Sequence, residues 1–223
     1  MKTAPQASRI RERTLIHMSR RRFMTTAAAM AAVPSIEGRR SSFAAASEVR
    51  FDFTRPFEGW ETVSGKWAVE TVAGASNGDR ALVQSATNSA FNVIVAPGGP
   101  YSDVDVTTRF KPISGREDAS VGIVFRFSEG RYYVIRANAL ENNFNFYYYD
   151  KGRHEISGTS VNAPALGQWH KLRVSAERDR IRGWLNDKPL IDQRDSRFAS
   201  GRVGLWTKAD SVTAFDDLVV RPL

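Results

Sequence analysis

The stretch YYVIRANALENNFNFYYYD, Tyr132 to Asp150, sets two apolar alternations on either side of a polar knot. Period-two alternation marks a strand buried on one face. YYVIRAN and NFNFYYYD therefore read as neighbouring strands. On the second, Phe144, Phe146 and Tyr148 share one face, and Asn145, Tyr147 and Tyr149 the other. The first set reads as core. The second, with Arg136 and Asn138 from the strand before, reads as the concave outer face of a curved sheet, where substitution leaves the fold intact. The strand ahead of these, GIVFRF, is joined through Ser128, Glu129 and Gly130 and carries Arg126 in an apolar run. An arginine there must leave the interior or be paired. We place Arg126 on the same outer face as Arg136. That placement depends on the turn, because one residue of slip reverses a strand's faces.

The pattern extends in both directions. From Val49 onward, short apolar or alternating runs are broken by Gly, Asn, Asp and Pro: VRFDF, KWAVETV, RALVQS, FNVIVA, DVDVTTRFK and ASVGIVFRF, then WHKLRVSAE, RIRGWL, PLIDQ, RVGLWT and VTAFDDLVV. SEG and LNDKPL have the composition of hairpin turns. A short helical turn is expected only around DSRFASG. About a dozen short strands without a long 3.6-residue period give an all-β sandwich of two antiparallel sheets, as one domain over residues 47–223.

The 223-residue chain has a formal net charge of +8, which on its face suggests a nucleic-acid partner. Its distribution removes that suggestion. Residues 1–46 hold nine of the 32 Lys/Arg and two of the 24 Asp/Glu, so the remainder is close to neutral and offers no field for phosphates. The chain has no cysteine, which excludes disulfides, thiolate nucleophiles and cysteine metal sites.

The basic N-terminus reads as an export address. MSRRRFMTTAAAMAAVP has a charged start and a mildly apolar run, and FAAAS follows with Ala44 and Ala46 in A-x-A spacing. The run Ser19-Arg20-Arg21-Arg22-Phe23-Met24 resembles the twin-arginine motif, with Thr25 where that motif has lysine. The resemblance implies a signal peptide over residues 1–46, the twin-arginine translocase as partner, and delivery of a folded domain to the periplasm or beyond. The apolar run is far shorter than the ~20 residues that span a bilayer, so no stable membrane insertion is expected after cleavage.

Four pieces in order, FEGWETVSGKWAVE, ASVGIVFRFSEGRYYVIRANALENNFNFYYYDKG, GQWHKLRVSAERDRIRGWLNDKPLID and GRVGLWTKADSVTAFDDLVV, resemble the concanavalin A-like jelly roll. Within it the resemblance is to laminin-G-like and 3-keto-disaccharide-hydrolase-like bacterial domains. It implies a jelly-roll β-sandwich, and families of this shape include glycan-binding modules and glycoside hydrolases. Laminarinase-type glucanases of this shape carry an E-x-D-x-E-like strand. This chain has none.

The residues themselves point to binding more than to catalysis. Sugars are held by planar aromatic faces and directional polar donors. Arg126, Arg136, Asn138, Asn145 and Tyr147 supply that composition as a candidate saccharide-binding face for a glycan ligand. Glu117 and Asp118 read as solvated loop charges. His170 reads as structural and His154 as a residue of a hairpin turn. A glycoside-cleaving enzyme of the 3-keto-disaccharide type is the alternative, drawing its acid/base group from His154, Glu155, Asp150 and Glu141. A non-catalytic envelope interaction domain is the third reading. FDDL near the C-terminus is expected beside FDF near the start, so that Asp52, Asp216 and Asp217 could offer hard oxygen ligands to a structural calcium ion. No cofactor is required.

Overall fold

The computed structural model describes residues 47–223, apart from Pro56 and the side chain of Ser89. The export-signal reading of residues 1–46 falls outside the described residues. Two antiparallel sheets face each other. The first runs in the order β13 (Lys188–Arg194), β12 (Arg180–Leu185), β11 (His170–Glu177), β6 (Val104–Ser114), β15 (Val212–Pro222), β4 (Arg80–Gln84), β3 (Trp67–Thr71), with β1 (Val49–Phe51) also paired to β15. The second runs β10 (Arg153–Ser160), β9 (Asn143–Tyr149), β8 (Arg131–Asn138), β7 (Ser120–Ser128), β14 (Arg202–Ala209), β5 (Ser89–Val95), β2 (Glu61–Ser64). The expected pairing of FDF with FDDL is present: Phe51 lies opposite Leu218.

Alternation builds the core. Ile123, Phe125, Ile135, Phe144, Phe146 and Leu205 of the second sheet meet Phe110, Leu172, Val174, Ile181 and Phe215 of the first, and all are buried. Tyr148 packs at the margin of the same core. The two expected hairpins turn through positive φ, at Glu129 (51°) and Gly130 (76°) and at Asn186 (49°) and Asp187 (63°). Asn and Asp tolerate that region better than most side chains.

Three local expectations are corrected. No helical turn forms around Asp195–Gly201; that segment is irregular and enters β14. RHEISGTS is a strand, β10, and not a turn. Its weak apolar content hid it, because an edge strand packs on one side only. The third correction is a β-bulge in β7. Phe125 pairs with Tyr133, yet Ser128 pairs with Arg131, so β7 holds one extra residue there. Arg126 takes a φ of 51° at that point, and the alternation slips.

The second sheet is strongly curved. Neighbouring strands lie about 4.8 Å apart, so β5 and β9, four steps apart, would be ~19 Å apart on a flat sheet. The rings of Phe91 on β5 and Tyr149 on β9 nevertheless have centroids 5.7 Å apart. The Arg153 guanidinium, from β10, reaches 5.8 Å from the same Phe91 ring. Only curling of the outer face toward itself allows both contacts, so that face is concave.

Candidate functional site

The register of β7–β10 and β14 places a band of polar side chains on the concave face. Arg136 lies opposite Asn145, and Asn145 opposite Gly158. On its other side Arg136 lies opposite Gly122, itself opposite Trp206. The two glycines have packing reasons. A Cβ on Gly158 would approach Asn145 Oδ1 to 2.9 Å, and one on Gly122 would meet Val134 Cγ2 at 2.8 Å. With no side chain on either flank, Arg136 and Asn145 lie along the sheet.

They converge on one phenol. The Tyr147 hydroxyl accepts from Arg136 Nη2 at 3.2 Å and from Asn145 Nδ2 at 2.7 Å. Two carboxylates meet this cluster, Glu141 from the turn between β8 and β9 and Glu155 from β10. Glu141 Oε2 accepts from Asn143 Nδ2 at 2.9 Å and from Arg136 Nη2 at 3.4 Å. Glu155 Oε2 accepts from Asn145 Nδ2 at 3.3 Å. Asn143 in turn takes a hydrogen bond from Arg136 Nη1. Beyond them Asn138 donates to Asp118 at 3.3 Å, and Asp118 pairs with Lys208. The bond from Asn143, then the positive charge of Arg136 and Lys208, holds the Glu141 carboxyl below its ordinary pKa, so it is ionised at neutral pH. Arg136 Nε and Asn145 Oδ1 have no hydrogen-bond partner among the described residues.

An aromatic ridge bounds this polar compartment. Trp206, only 1% exposed, lies under Phe91, whose ring centroid is 5.5 Å from its own. Tyr149 stacks on Tyr132 at 5.1 Å, and burial pushes the pKa of the Tyr132 hydroxyl far up. Arg153 lies 4.6 Å over the Tyr147 ring. On the far side of the ridge is a separate apolar hollow lined by Val63, Phe91, Val93, Phe127, Tyr132 and Tyr149.

Of the five residues expected on this face, the structure brings together Arg136, Asn138, Asn145 and Tyr147. They are less open than expected: Arg136 and Tyr147 are each 4% exposed, because curvature folds the face over its own side chains. Arg126 is elsewhere. The β7 bulge turns it to one end of the sandwich, where it is buried and donates to the carbonyls of Ser102 (2.9 Å), Phe198 (2.9 Å) and Arg178 (2.6 Å). Its guanidinium pKa is lowered, first by burial. It ties three loops together and does not face the polar compartment.

Asp118 is also not the solvated charge expected. Asp210 accepts the backbone N–H groups of Arg116, Glu117 and Asp118, which folds that loop inward and leaves Asp118 1% exposed. His154 lies opposite Tyr148 and stacks on it at 4.6 Å, so it takes the opposite face of β10 from Glu155. His170 packs on Phe110 and bonds the Ala165 carbonyl. The three calcium candidates do not converge. Asp216 holds Ser76 N–H and Arg109, Asp217 holds Arg50, and Asp52 caps Thr54, whose bonds lower its pKa. A shared ion would have to displace all of these. Among the described residues, no group of three or more His, Cys, Asp or Glu has an arrangement that could hold a metal ion.

Comparison with known proteins gives the fold a family. The model of the 3-keto-alpha-glucoside-1,2-lyase-like domain matches residues 49–221. The chain belongs to this family. The lyase-like domain is also similar to a levanase of Bacillus subtilis strain 168, at 27% identity over 160 residues. The match covers 68% of this chain and 22% of the levanase, so the chain spans only about a fifth of that relative. Among solved structures, the carbohydrate-binding module CBM66 from Bacillus subtilis superposes with a TM-score of 0.64 at 22% identity, covering 76% of this chain and 99% of that one. A β-glucanase of Bacillus licheniformis gives 0.54 at 13% identity, covering 79% and 98%. These likenesses establish the jelly-roll sandwich for the lyase-like domain. Its polar compartment holds three residues that sequence reasoning missed: Asn143, Asp118 and Lys208. Asn143 shares the parity of Asn145 and was legible. Asp118 and Lys208 meet only through the pairing of β7 with β14, which no local signal announces.

Proposed function

We propose that this domain is an exported saccharide-interacting module that holds its ligand in the polar compartment of the concave face. One observation carries the reading. Arg136, Asn145 and Tyr147 are locked to one another, while the carboxylates of Glu141 and Glu155 flank them as exposed acceptors. Sugar hydroxyls both donate and accept, and a rim of carboxyl acceptors around oriented donors suits them. The aromatic ridge beside it supplies apolar surface for a ring face. The levanase and carbohydrate-binding likenesses support the same ligand class, and the motif around Arg20 and Arg21 supports export through the twin-arginine pathway to the periplasm or beyond. The test is a glycan array, with levan included, probed with purified residues 47–223. Retention of no saccharide at all removes the reading.

The family match favours a second reading, glycoside cleavage. In a 3-keto-glucoside the ketone acidifies the hydrogen on C2. A carboxylate takes that proton, the C1–O bond breaks, and the leaving oxygen needs a proton in return. Glu141 and Glu155 are the candidates for these two roles, since His154 faces away from the compartment. Release of methanol from methyl 3-keto-α-glucoside, whose alkoxide leaving group needs that proton, abolished in both Glu141→Gln and Glu155→Gln, would select this reading. No release from the parent protein would leave binding alone.

A further inference from the structure

The polar compartment has an outlet. The ridge of Phe91, Tyr149 and Arg153 closes it on one side, and the loop of residues 116–118, pinned by Asp210, stands beside Asp118 and Asn138. Toward β10 the path is open. Gly158, opposite Asn145, is exposed and bare, and Ser160, opposite Asn143, is exposed as well.

Ser160 also lines a second feature. A groove of about 590 Å³ runs around the sheet edge between the end of β10 and the β12–β13 turn, bounded by Asn142, Val161, Asn162, Leu185, Lys188 and Leu190. That volume is in the range of small-molecule sites. Its chemistry is mixed in the manner a sugar needs. Leu185, Leu190 and Val161 give an apolar floor. Asn162 and Lys188 are exposed, and their side chains make no hydrogen bond or ion pair among the described residues. Asn142 and Asn186, by contrast, are occupied in holding the groove's shape: Asn142 Oδ1 accepts from Ala163 N–H and Asn186 Oδ1 from Lys171 N–H.

We infer that this edge groove is a second saccharide subsite, continuous with the polar compartment, and that the domain takes an oligosaccharide crossing β10 at Gly158 and Ser160. Two strand spacings, about 10 Å, separate Arg136 on β8 from β10. That is further than a single pyranose or furanose ring reaches, so only a chain of several residues engages both. The inference rests on the proposed function and adds ligand length and direction to it.

Calorimetric titration of the purified domain with levan-, laminari- and malto-oligosaccharides, each from disaccharide to hexasaccharide, tests it. In the series that binds, affinity should rise about tenfold or more between disaccharide and tetrasaccharide. The double variant Asn162→Ala/Lys188→Ala should lose that rise and keep the parent's disaccharide affinity. Both side chains are exposed, so the variant folds. Affinity independent of length, or a rise retained by the double variant, overturns the second subsite while leaving the polar compartment standing. Binding to none of the three series, together with an empty glycan array, overturns both.

Discussion

Replacing Tyr147 by Phe removes one oxygen atom and little else, which makes it the sharpest probe of the polar compartment. That oxygen accepts from Arg136 Nη2 at 3.2 Å and Asn145 Nδ2 at 2.7 Å. Without it, Arg136 Nη2 keeps only a 3.4 Å contact to Glu141, and Asn145 Nδ2 only a 3.3 Å contact to Glu155. Arg136 and Asn145 are both buried, so water cannot freely take the hydroxyl's place. Leaving a buried donor poorly paired costs about 1–3 kcal/mol. For a domain of this size that lowers Tm by about 2–4 °C per kcal/mol. The same loss frees the arginine and amide to reorient, and saccharide affinity should fall about tenfold for each 1.4 kcal/mol of lost interaction. Urea unfolding and calorimetric titration measure the two effects. Phe146→Ala is the control on the other face of β9: it empties core volume and should cost about 3–5 kcal/mol. If Tyr147→Phe unfolds at the parent's urea midpoint and binds with the parent's affinity, the hydroxyl does not organise the compartment and the argument built on it fails.

Arg126→Ala should cost at least about 3 kcal/mol, because three loop carbonyls lose their buried donor, and urea unfolding will show it; saccharide affinity of the folded variant should match the parent, and a loss of binding without a loss of stability would return Arg126 to the site. The Glu141 carboxyl has a folded-state pKa below its unfolded value, so its contribution is present at neutral pH and disappears as pH falls through the acidic carboxylate range. Melting curves from pH 7 to pH 3 should accordingly show a smaller acid-induced drop in Glu141→Gln than in the parent, whereas parallel curves would show that Glu141 is not held by Asn143 and Arg136. Arg20→Lys with Arg21→Lys should keep the full-length precursor in the cytoplasm by cell fractionation; normal delivery would point to general secretion instead.

The fold was readable because its evidence is local. Leu172, Val174 and Ala176 alternate with Lys171, Arg173 and Ser175, and all three apolar side chains are fully buried. Turn chemistry at Gly130 and at Asn186-Asp187 set the hairpins. What failed locally was any element whose stability comes from elsewhere. Arg153–Ser160 has little apolar periodicity and forms an edge strand because β9 offers it a ladder. Arg126 broke the parity argument because the bulge adds a residue without changing the apparent alternation of GIVFRF. The determinants of that bulge are tertiary: the carbonyls of Ser102, Arg178 and Phe198 come from three distant loops.

The site was readable in composition and not in shape. Arg136, Asn145 and Tyr147 could be grouped from parity alone, since parity decides the face of a strand. Their burial could not, since it depends on a curvature that the alternation does not encode. That difference has a chemical consequence. On a flat exposed face, each of these groups would be hydrated, and a sugar would have to displace that water for little net gain. Under the curved face, Arg136 and Asn145 are already stripped of water and fixed on the Tyr147 hydroxyl, so less of the interaction is lost to ordering them on binding. The carboxylates of Glu141 and Glu155 stay exposed at the rim, where a ligand hydroxyl meets them first. The curvature that sequence reasoning could not supply therefore turns a generic polar patch into a compartment with a rigid floor and an open rim.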